Sequence, residues 1–327
     1  MKQKAYEIVV ASGKGGVGKS TITASLLVLL SRHGYKLLGA DADAEAPNLH
    51  ISLGVADWDR VEPYYEGRVA YIQDELCTQC GRCLEACQFG AVEIVNGRYR
   101  INPWICEGCY TCSFVCPVKA VRFNRGVVAG YLKVKERTRY GFPLVSSESM
   151  PGRPNSGKLV TETKNIAKKM LGSEGLIFID AAAGIGCQVI SSLVGASALL
   201  MVAEPTPTSL SDLKRLHTLA RHFRIPSMLV INKADLDESY RLKLIEYARE
   251  WRIDYLGDIP YDEKVPQSLE RMTPIVEASP DSLASKALFQ LAERLREIIE
   301  DMDEWRIKHL PPRQEPFVPK VIKPEGR

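Results

Sequence analysis

The residues with the clearest chemistry form a glycine-rich run near the start of the chain. Residues 12–21 read SGKGGVGKST and fit the pattern G-x-x-x-x-G-K-[ST], with Gly13, Gly18, Lys19 and Ser20 at its fixed positions. The glycines let successive backbone N–H groups curl around a polyphosphate. In this pattern the lysine reaches the β- and γ-phosphates, and the serine ligates Mg²⁺. The run therefore predicts a site for a nucleoside triphosphate.

The other residues of this run are expected to border the same ligand. Thr21 is placed to reach the α-phosphate, and Gly15, Gly16 and Val17 supply backbone to the loop. An apolar strand over residues 6–11 precedes the loop, and an amphipathic helix is predicted from Lys19 to about His33. The positive end of that helix would face the phosphates.

Eight of the nine cysteines form two groups with the same spacing, C-x-x-C-x-x-C-x-x-x-C. This is the bacterial two-cluster ferredoxin pattern, in which the fourth cysteine of each run ligates the cluster of the other run. It predicts two 4Fe–4S centres, one held by Cys77, Cys80, Cys83 and Cys116, the other by Cys106, Cys109, Cys112 and Cys87. The alternative is a pair of Cys₄ zinc sites, which normally show two C-x-x-C pairs and a longer spacer.

Carboxylates follow two further apolar strands. The strand over residues 35–40 runs into Asp41 and Asp43, and the strand over residues 175–180 ends in Asp180. Because the carboxyl ends of parallel strands meet at one edge of a sheet, these side chains should lie beside the phosphate loop, where they can orient Mg²⁺ or a water.

Three of these segments together resemble the MinD/ParA/Mrp and nitrogenase iron protein family: KGGVGKST, the DADAEAPNL stretch (41–49, switch I) and the DAAAGIG stretch (180–186, switch II). The resemblance implies that Lys14 reaches the phosphates of a partner subunit and that Asp43 positions the hydrolytic water. It also implies that Asp41 contacts a Mg²⁺-bound water, that Asp180 holds Mg²⁺ through water, and that Gly184 swings toward the γ-phosphate.

The base-binding segment leaves two nucleotides open. In this family an asparagine at the position of Asn232 contacts adenine, and the stretch that contains Pro260 closes over the base. However, residues 232–235 also match N-K-x-D, the guanine-recognition motif of many GTPases, with Asn232, Lys233 and Asp235 at its fixed positions. The deviant phosphate loop and switches favour ATP.

These elements predict an α/β fold, a doubly wound and mainly parallel sheet, with an inserted α+β ferredoxin domain. The ATPase domain is assigned to residues 1–56 and 126–304, the insert to 67–125, and an extended proline-rich tail to 305–327. Within the ATPase domain, the Ser-, Pro- and Gly-rich stretch 146–157 is predicted to be a loop.

Composition limits the environment and the partners. The net charge of +3 is too near zero to indicate nucleic acid, and no signal sequence or membrane-length apolar run is visible. We therefore expect a soluble, cytoplasmic protein with no membrane partner, in which nine cysteines indicate metal rather than disulfides. Cys187, outside both groups, is expected to be a buried structural thiol, with an interface or redox role as the alternative.

Three function classes remain open. The first is a nucleotide-gated electron carrier, which works as a homodimer or as a heterodimer with a related ATPase, beside an unknown redox partner protein. The second is an iron–sulfur cluster carrier or assembly ATPase. The third is a MinD/ParA-like positioning ATPase whose clusters are structural or redox-sensing. The eight-cysteine insert would hold its clusters permanently, which favours the first class.

Overall fold

The computed structural model of this protein describes residues 5–151 and 156–312. Its strands are β1 (Ala5–Ser12), β2 (Leu37–Ala42), β3 (Arg60–Ile72), β4 (Val92–Val95), β5 (Arg98–Ile101), β6 (Val121–Lys135), β7 (Leu144–Ser149), β8 (Gly175–Ala183), β9 (Ala198–Ala203), β10 (Ser227–Asn232) and β11 (Asp254–Ile259).

The longer helices are α1 (Lys19–Ser31), α5 (Ser156–Leu171), α7 (Pro207–His222), α8 (Glu238–Glu250) and α11 (Leu283–Glu300). The short ones are α2 (Leu49–Ser52), α3 (Arg82–Ala86), α4 (Thr111–Phe114), α6 (Cys187–Leu193), α9 (Lys264–Glu270), α10 (Ile275–Ala278) and α12 (Met302–Lys308).

A nine-stranded sheet organises the chain in the order β11-β10-β9-β1-β8-β2-β7-β6-β3. The strands from β11 to β7 run parallel, whereas β6 and β3 pair antiparallel at one edge. Side chains of β1 alternate between two cores: Ile8 and Val10 pack with α1 and α11, while Val9 and Ala11 pack with α5, α6 and α7. Helices thus cover both faces, which confirms the predicted doubly wound α/β class.

A long two-stranded ribbon carries the cysteine-rich region. Strands β3 and β6 pair from Arg60 with Val134 to Ile72 with Val121, and the cysteine groups lie between them in sequence. The boundaries that the sequence suggested, at residues 67 and 125, fall inside these strands. Hydrogen bonding of the sheet therefore continues across both of these suggested boundaries.

Two sequence expectations differ from the structure. The first four residues of the predicted loop 146–157 belong to β7, which pairs with both β2 and β6. Ser146 and Ser147 are buried in this sheet, which local polarity did not reveal. The tail expected to be extended from residue 305 is helical through Lys308, because Trp305 is buried and its Nε1 donates to Asp254 Oδ2 at 2.8 Å. The tail beyond Pro312 lies outside the described residues.

Candidate functional site

The glycine-rich run forms the turn between β1 and α1. Gly18 precedes the helix with φ 93°, and an added Cβ would lie 2.4 Å from Asn232 Nδ2, so only glycine fits there. The Asn232 amide donates to the Val17 carbonyl at 2.8 Å and fixes the loop from the far side. Lys19 is buried at the first helical position, while Gly15 and Gly16 are exposed at the mouth of the loop.

Two carboxylates lie next to each other beneath this loop. Asp41 in β2 pairs directly with Asp180 in β8, and both are essentially fully buried. Burial and the neighbouring Asp180 charge raise the pKa of Asp41 well above its ordinary value, and burial likewise raises the pKa of Asp180. Thr23 donates to Asp180 Oδ1 at 3.3 Å, and a hydrogen bond from Ser20 opposes the rise. A divalent cation at this position would relieve the repulsion, so the donor set fits Mg²⁺.

The switch I loop folds back onto Asp41. The Asp41 Oδ1 accepts a hydrogen bond from the backbone N–H of Asp43 at 3.2 Å, and the Asp41 Oδ2 accepts one from the backbone N–H of Leu49 at 2.9 Å. Burial raises the pKa of Asp43, whereas the Ala46 N–H and the charge of Lys19 act in the opposite direction. The Asp43 carboxylate therefore lies within electrostatic reach of Lys19.

Switch II also reaches the phosphate loop through its backbone. Gly184 has φ 90°, and its N–H donates to the carbonyl of Ser12 at 2.9 Å. That conformation is uncommon for residues with a side chain, which accounts for glycine at this point. Both switches and the loop thus meet at the carboxyl ends of β1, β2 and β8.

A cavity of about 270 Å³ opens beside the loop. Six of the predicted nucleotide contacts line it: Gly16, Gly18, Thr21, Asn232, Lys233 and Pro260. Its remaining walls are mainly apolar and include Ile22, Tyr261, Val265 and Leu288. A mostly apolar slot that ends at a phosphate loop suits a purine ring. A larger groove of about 660 Å³ between β11 and α11 is lined by none of the predicted residues.

Asp235 is not among the residues that line this cavity. It is exposed, and its Oδ1 accepts the backbone N–H of Tyr261 at 2.7 Å. An aspartate that reads guanine must face the base, whereas this one holds the turn after Pro260. The geometry therefore favours adenine over guanine.

Glu204 joins the site and was not expected from the sequence. It is buried between two lysines: its Oε2 lies 3.2 Å from Lys14 Nζ and its Oε1 lies 2.5 Å from Lys233 Nζ. The signal was present, because this carboxylate directly follows the apolar strand β9 just as Asp180 ends the apolar run of β8. Within the single chain, Lys14 is therefore paired with its own subunit.

The cysteines assemble in the crosswise grouping that their spacing predicts. One small cavity is lined by Cys77, Cys80, Cys83 and Cys116, and a second by Cys87, Cys106, Cys109 and Cys112. An equivalent hydrogen bond occurs next to the fourth cysteine of each run. The N–H of Ala91 donates to Cys87 Sγ at 3.3 Å, and that of Ala120 donates to Cys116 Sγ at 3.2 Å.

Burial and neighbouring thiols raise the pKa of one cysteine in each set, Cys83 and Cys112, whereas a hydrogen bond with Thr111 lowers the pKa of Cys109. Burial and the neighbouring Cys106 and Cys109 raise the pKa of Cys112 to about 11, and burial with Cys77 and Cys80 raises that of Cys83. Such thiols ionise only beside a strongly positive group, and metal supplies one.

The spread of the thiols bears on the kind of metal group. Within residues 5–151 and 156–312, no three His, Cys, Asp or Glu side chains converge to hold a single metal ion. Each set of thiols instead surrounds a cavity, as ligands to different corners of a cluster must. This arrangement fits a 4Fe–4S group.

Cys187 is apart from both sets. It is exposed at the first residue of α6, directly after switch II, so the expected buried structural thiol is not what the structure shows.

In the described part of the chain, no helix combines the length and apolarity needed to cross a membrane.

Known proteins share this architecture. Residues 8–275 match the family model described as the CobQ/CobB/MinD/ParA nucleotide binding domain. An uncharacterized protein of Methanocaldococcus jannaschii is 33% identical over 300 residues, which cover 90% of this chain and 97% of that protein. The iron-sulfur cluster carrier protein of Aquifex aeolicus is 26% identical, covering 90% of this chain and 68% of that protein.

Solved structures agree on the fold. The septum site-determining protein MinD from Pyrococcus horikoshii, complexed with Mg-ADP, matches with a TM-score of 0.55 at 20% identity, over 90% of this chain and 97% of that one.

Proposed function

Because the chain belongs to the CobQ/CobB/MinD/ParA nucleotide-binding family, we propose that it is a dimeric ATPase whose nucleotide cycle gates electron transfer through an inserted ferredoxin-like domain. P-loop ATPases of the MinD/ParA family hydrolyse ATP and commonly dimerise. The finer proposal depends on one observation: two sets of four cysteines lie in the segment that joins β3 to β6, the two strands of a ribbon that continues the main sheet.

The proposed ATP site uses the residues that meet at the carboxyl ends of β1, β2 and β8. Lys19 and the loop amides bind the phosphates, and Thr21 contacts the α-phosphate. Ser20 would ligate Mg²⁺, and Asp41 and Asp180 would help to hold the ion, which would neutralise charge on the triphosphate. Asp43 orients the attacking water, and the backbone of Gly184 moves toward the γ-phosphate.

Two 4Fe–4S clusters are proposed as the resident cofactors of the cysteine-rich region. Each would supply a one-electron redox couple. The crosswise thiol sets that line the two cavities support this assignment. The loop that carries the second set packs directly on the ribbon, because a Cβ on Gly108 would lie 2.2 Å from the Arg68 carbonyl oxygen of β3.

A direct structural path joins the ATP site to this region. Strand β7 follows the ribbon in the chain and lies between β2 and β6 in the sheet. At its end, the N–H of Ser149 donates to the carbonyl of Ala44 in switch I at 2.7 Å, and the next N–H, of Met150, donates to Ala129 of β6 at 2.9 Å. A movement of switch I therefore acts on the strand that anchors the ribbon.

The proposed dimer requires Lys14 to change partners. In the single chain its ammonium group faces Glu204, so reaching a second subunit means breaking that ion pair. ATP favours the dimer only by as much as it binds the dimer more tightly, so nucleotide affinity and dimerisation are linked reciprocally.

The cluster assignment has a simple analytical test. Protein purified without oxygen should contain about eight irons and eight acid-labile sulfides per chain, because two four-iron centres are proposed. The matched control is the Cys187→Ala variant, which should keep the same content. Stoichiometric zinc without visible charge-transfer absorption would contradict the assignment.

Two alternatives retain support from relatives. Iron-sulfur cluster carrier proteins of Aquifex aeolicus and Pyrococcus horikoshii are each 26% identical to this chain, and a chloroplast MinD homologue of Arabidopsis thaliana is equally similar. A carrier would pass iron and sulfide to an apo-acceptor, whereas resident clusters held by four thiols each would stay. A positioning ATPase would keep its clusters but show no nucleotide effect on them.

A further inference from the structure

One buried side chain connects the two switches directly. Gln188 lies in the first turn of α6, just after switch II, and is 7% exposed. Its Oε1 accepts the backbone N–H of Ala44 at 2.8 Å, and its Nε2 donates to Glu45 Oε1 at 2.8 Å. Both ends of the amide are therefore used within switch I.

This contact completes a clamp around the peptide next to Asp43. The N–H of Ala44 is held by Gln188, and its carbonyl is held by Ser149 of β7. On the other side, the N–H of Asp43 is held by Asp41. Hydrogen bonds on both sides of Asp43 thus restrain the backbone that carries its carboxylate. Gln188 supplies the one that links this backbone to the helix after switch II.

We propose that Gln188 is a positioning residue for ATP hydrolysis, which ties switch I to switch II and thereby places Asp43; this inference rests on the proposed role of Asp43 in orienting the attacking water. A primary amide is required, because the site needs an acceptor for a backbone N–H and a donor to a carboxylate at the same time. Gln188 does not line the base cavity, so its effect falls on turnover rather than on nucleotide binding.

The chain offers a charge-exchange test. In Gln188→Glu, the new carboxylate can still accept the Ala44 N–H but faces the carboxylate of Glu45. We expect kcat to fall by about tenfold or more, since small misplacements of catalytic groups cost that much, while the Kd for ATP stays within about twofold. In Glu45→Gln, the new amide oxygen still accepts from Gln188, so kcat should stay near that of the wild type.

The double variant Glu45→Gln/Gln188→Glu restores the pattern with donor and acceptor exchanged, because the new amide at position 45 can donate to the new carboxylate at position 188. Its kcat should recover to within about threefold of the wild type. A Gln188→Glu variant with wild-type kcat, or a double variant no faster than the single one, would overturn the proposal. If the single variant does not fold, the double variant decides: a kcat near wild type supports the proposal, and one about tenfold lower contradicts it.

Discussion

Replacement of Lys19 by alanine is expected to abolish measurable ATP hydrolysis and to weaken ATP binding severely. Lys19 is buried at the start of α1, and its charge acts on both Asp43 and Asp180. Without it, the buried carboxylates lose their neighbouring cation, and the phosphates lose a charge-assisted hydrogen bond. Loss of such a contact in a desolvated site costs roughly 3 to 4 kcal/mol, or about two to three orders of magnitude.

The measurement is ATP binding by titration calorimetry together with steady-state hydrolysis. Lys169→Ala is a matched control, because Lys169 is exposed on α5 and distant in sequence from the loop. This control should leave both quantities unchanged. Hydrolysis by Lys19→Ala within about tenfold of the wild type would show that the loop does not act as proposed.

Replacement of Asp43 by alanine should separate binding from chemistry. The Asp43 backbone is hydrogen-bonded to the buried Asp41, and Asp43 does not line the base cavity. Binding energy comes mainly from loop amides and Lys19, so the Kd for ATP should change by no more than about threefold. We expect kcat to fall by about 10² or more, since the attacking water loses its orienting carboxylate.

The measurement for Asp43→Ala is single-turnover hydrolysis with saturating Mg²⁺ and ATP. Asp57→Ala is the control, because Asp57 is an exposed carboxylate whose only described partner is Lys135 on the ribbon. Normal turnover in Asp43→Ala would remove the proposed role of this carboxylate.

Local sequence patterns were sufficient to predict those parts of the fold and site that depend on residues close together in the chain. The order β1, phosphate loop and α1 follows from residues 6–31, because an apolar run, glycines and a helical face stand next to one another. The crosswise cysteine grouping follows from spacing alone. The hairpin β4–β5 turns at Asn96 and Gly97, an Asn-Gly pair of the kind that favours two-residue turns, and both residues adopt positive φ angles.

Features that depend on distant partners could not be predicted in this way. All but one residue of β3 are exposed or half-buried, so its burial pattern alone does not mark a strand, and its pairing with β6 at the sheet edge makes it one. Asp235 matched a base-reading motif, yet the turn at Tyr261 engages its carboxylate. Gln188 became visible as a site residue only when the fold brought it to switch I. Glu204 follows an apolar strand in the sequence, but its ion pair with Lys14 depends on the fold.

We propose that the bound nucleotide controls the reduction potentials of the clusters through the ribbon. Because β7 bonds to Ala44 and pairs with β6, a switch I rearrangement should shift the ribbon and with it the solvation of the thiol ligands. Allosteric coupling is typically about 1 to 3 kcal/mol. For a one-electron couple, about 1.4 kcal/mol corresponds to roughly 60 mV.

The most direct measurement is an anaerobic redox titration of the clusters, followed by electron paramagnetic resonance, on the apo, ADP-bound and ATP-analogue-bound protein. The proposal predicts that at least one cluster potential moves by several tens of millivolts between the ADP and ATP-analogue states. It also predicts that Lys19→Ala shows no such shift. Potentials that agree within error across all three states of the wild type would contradict the gated-carrier function.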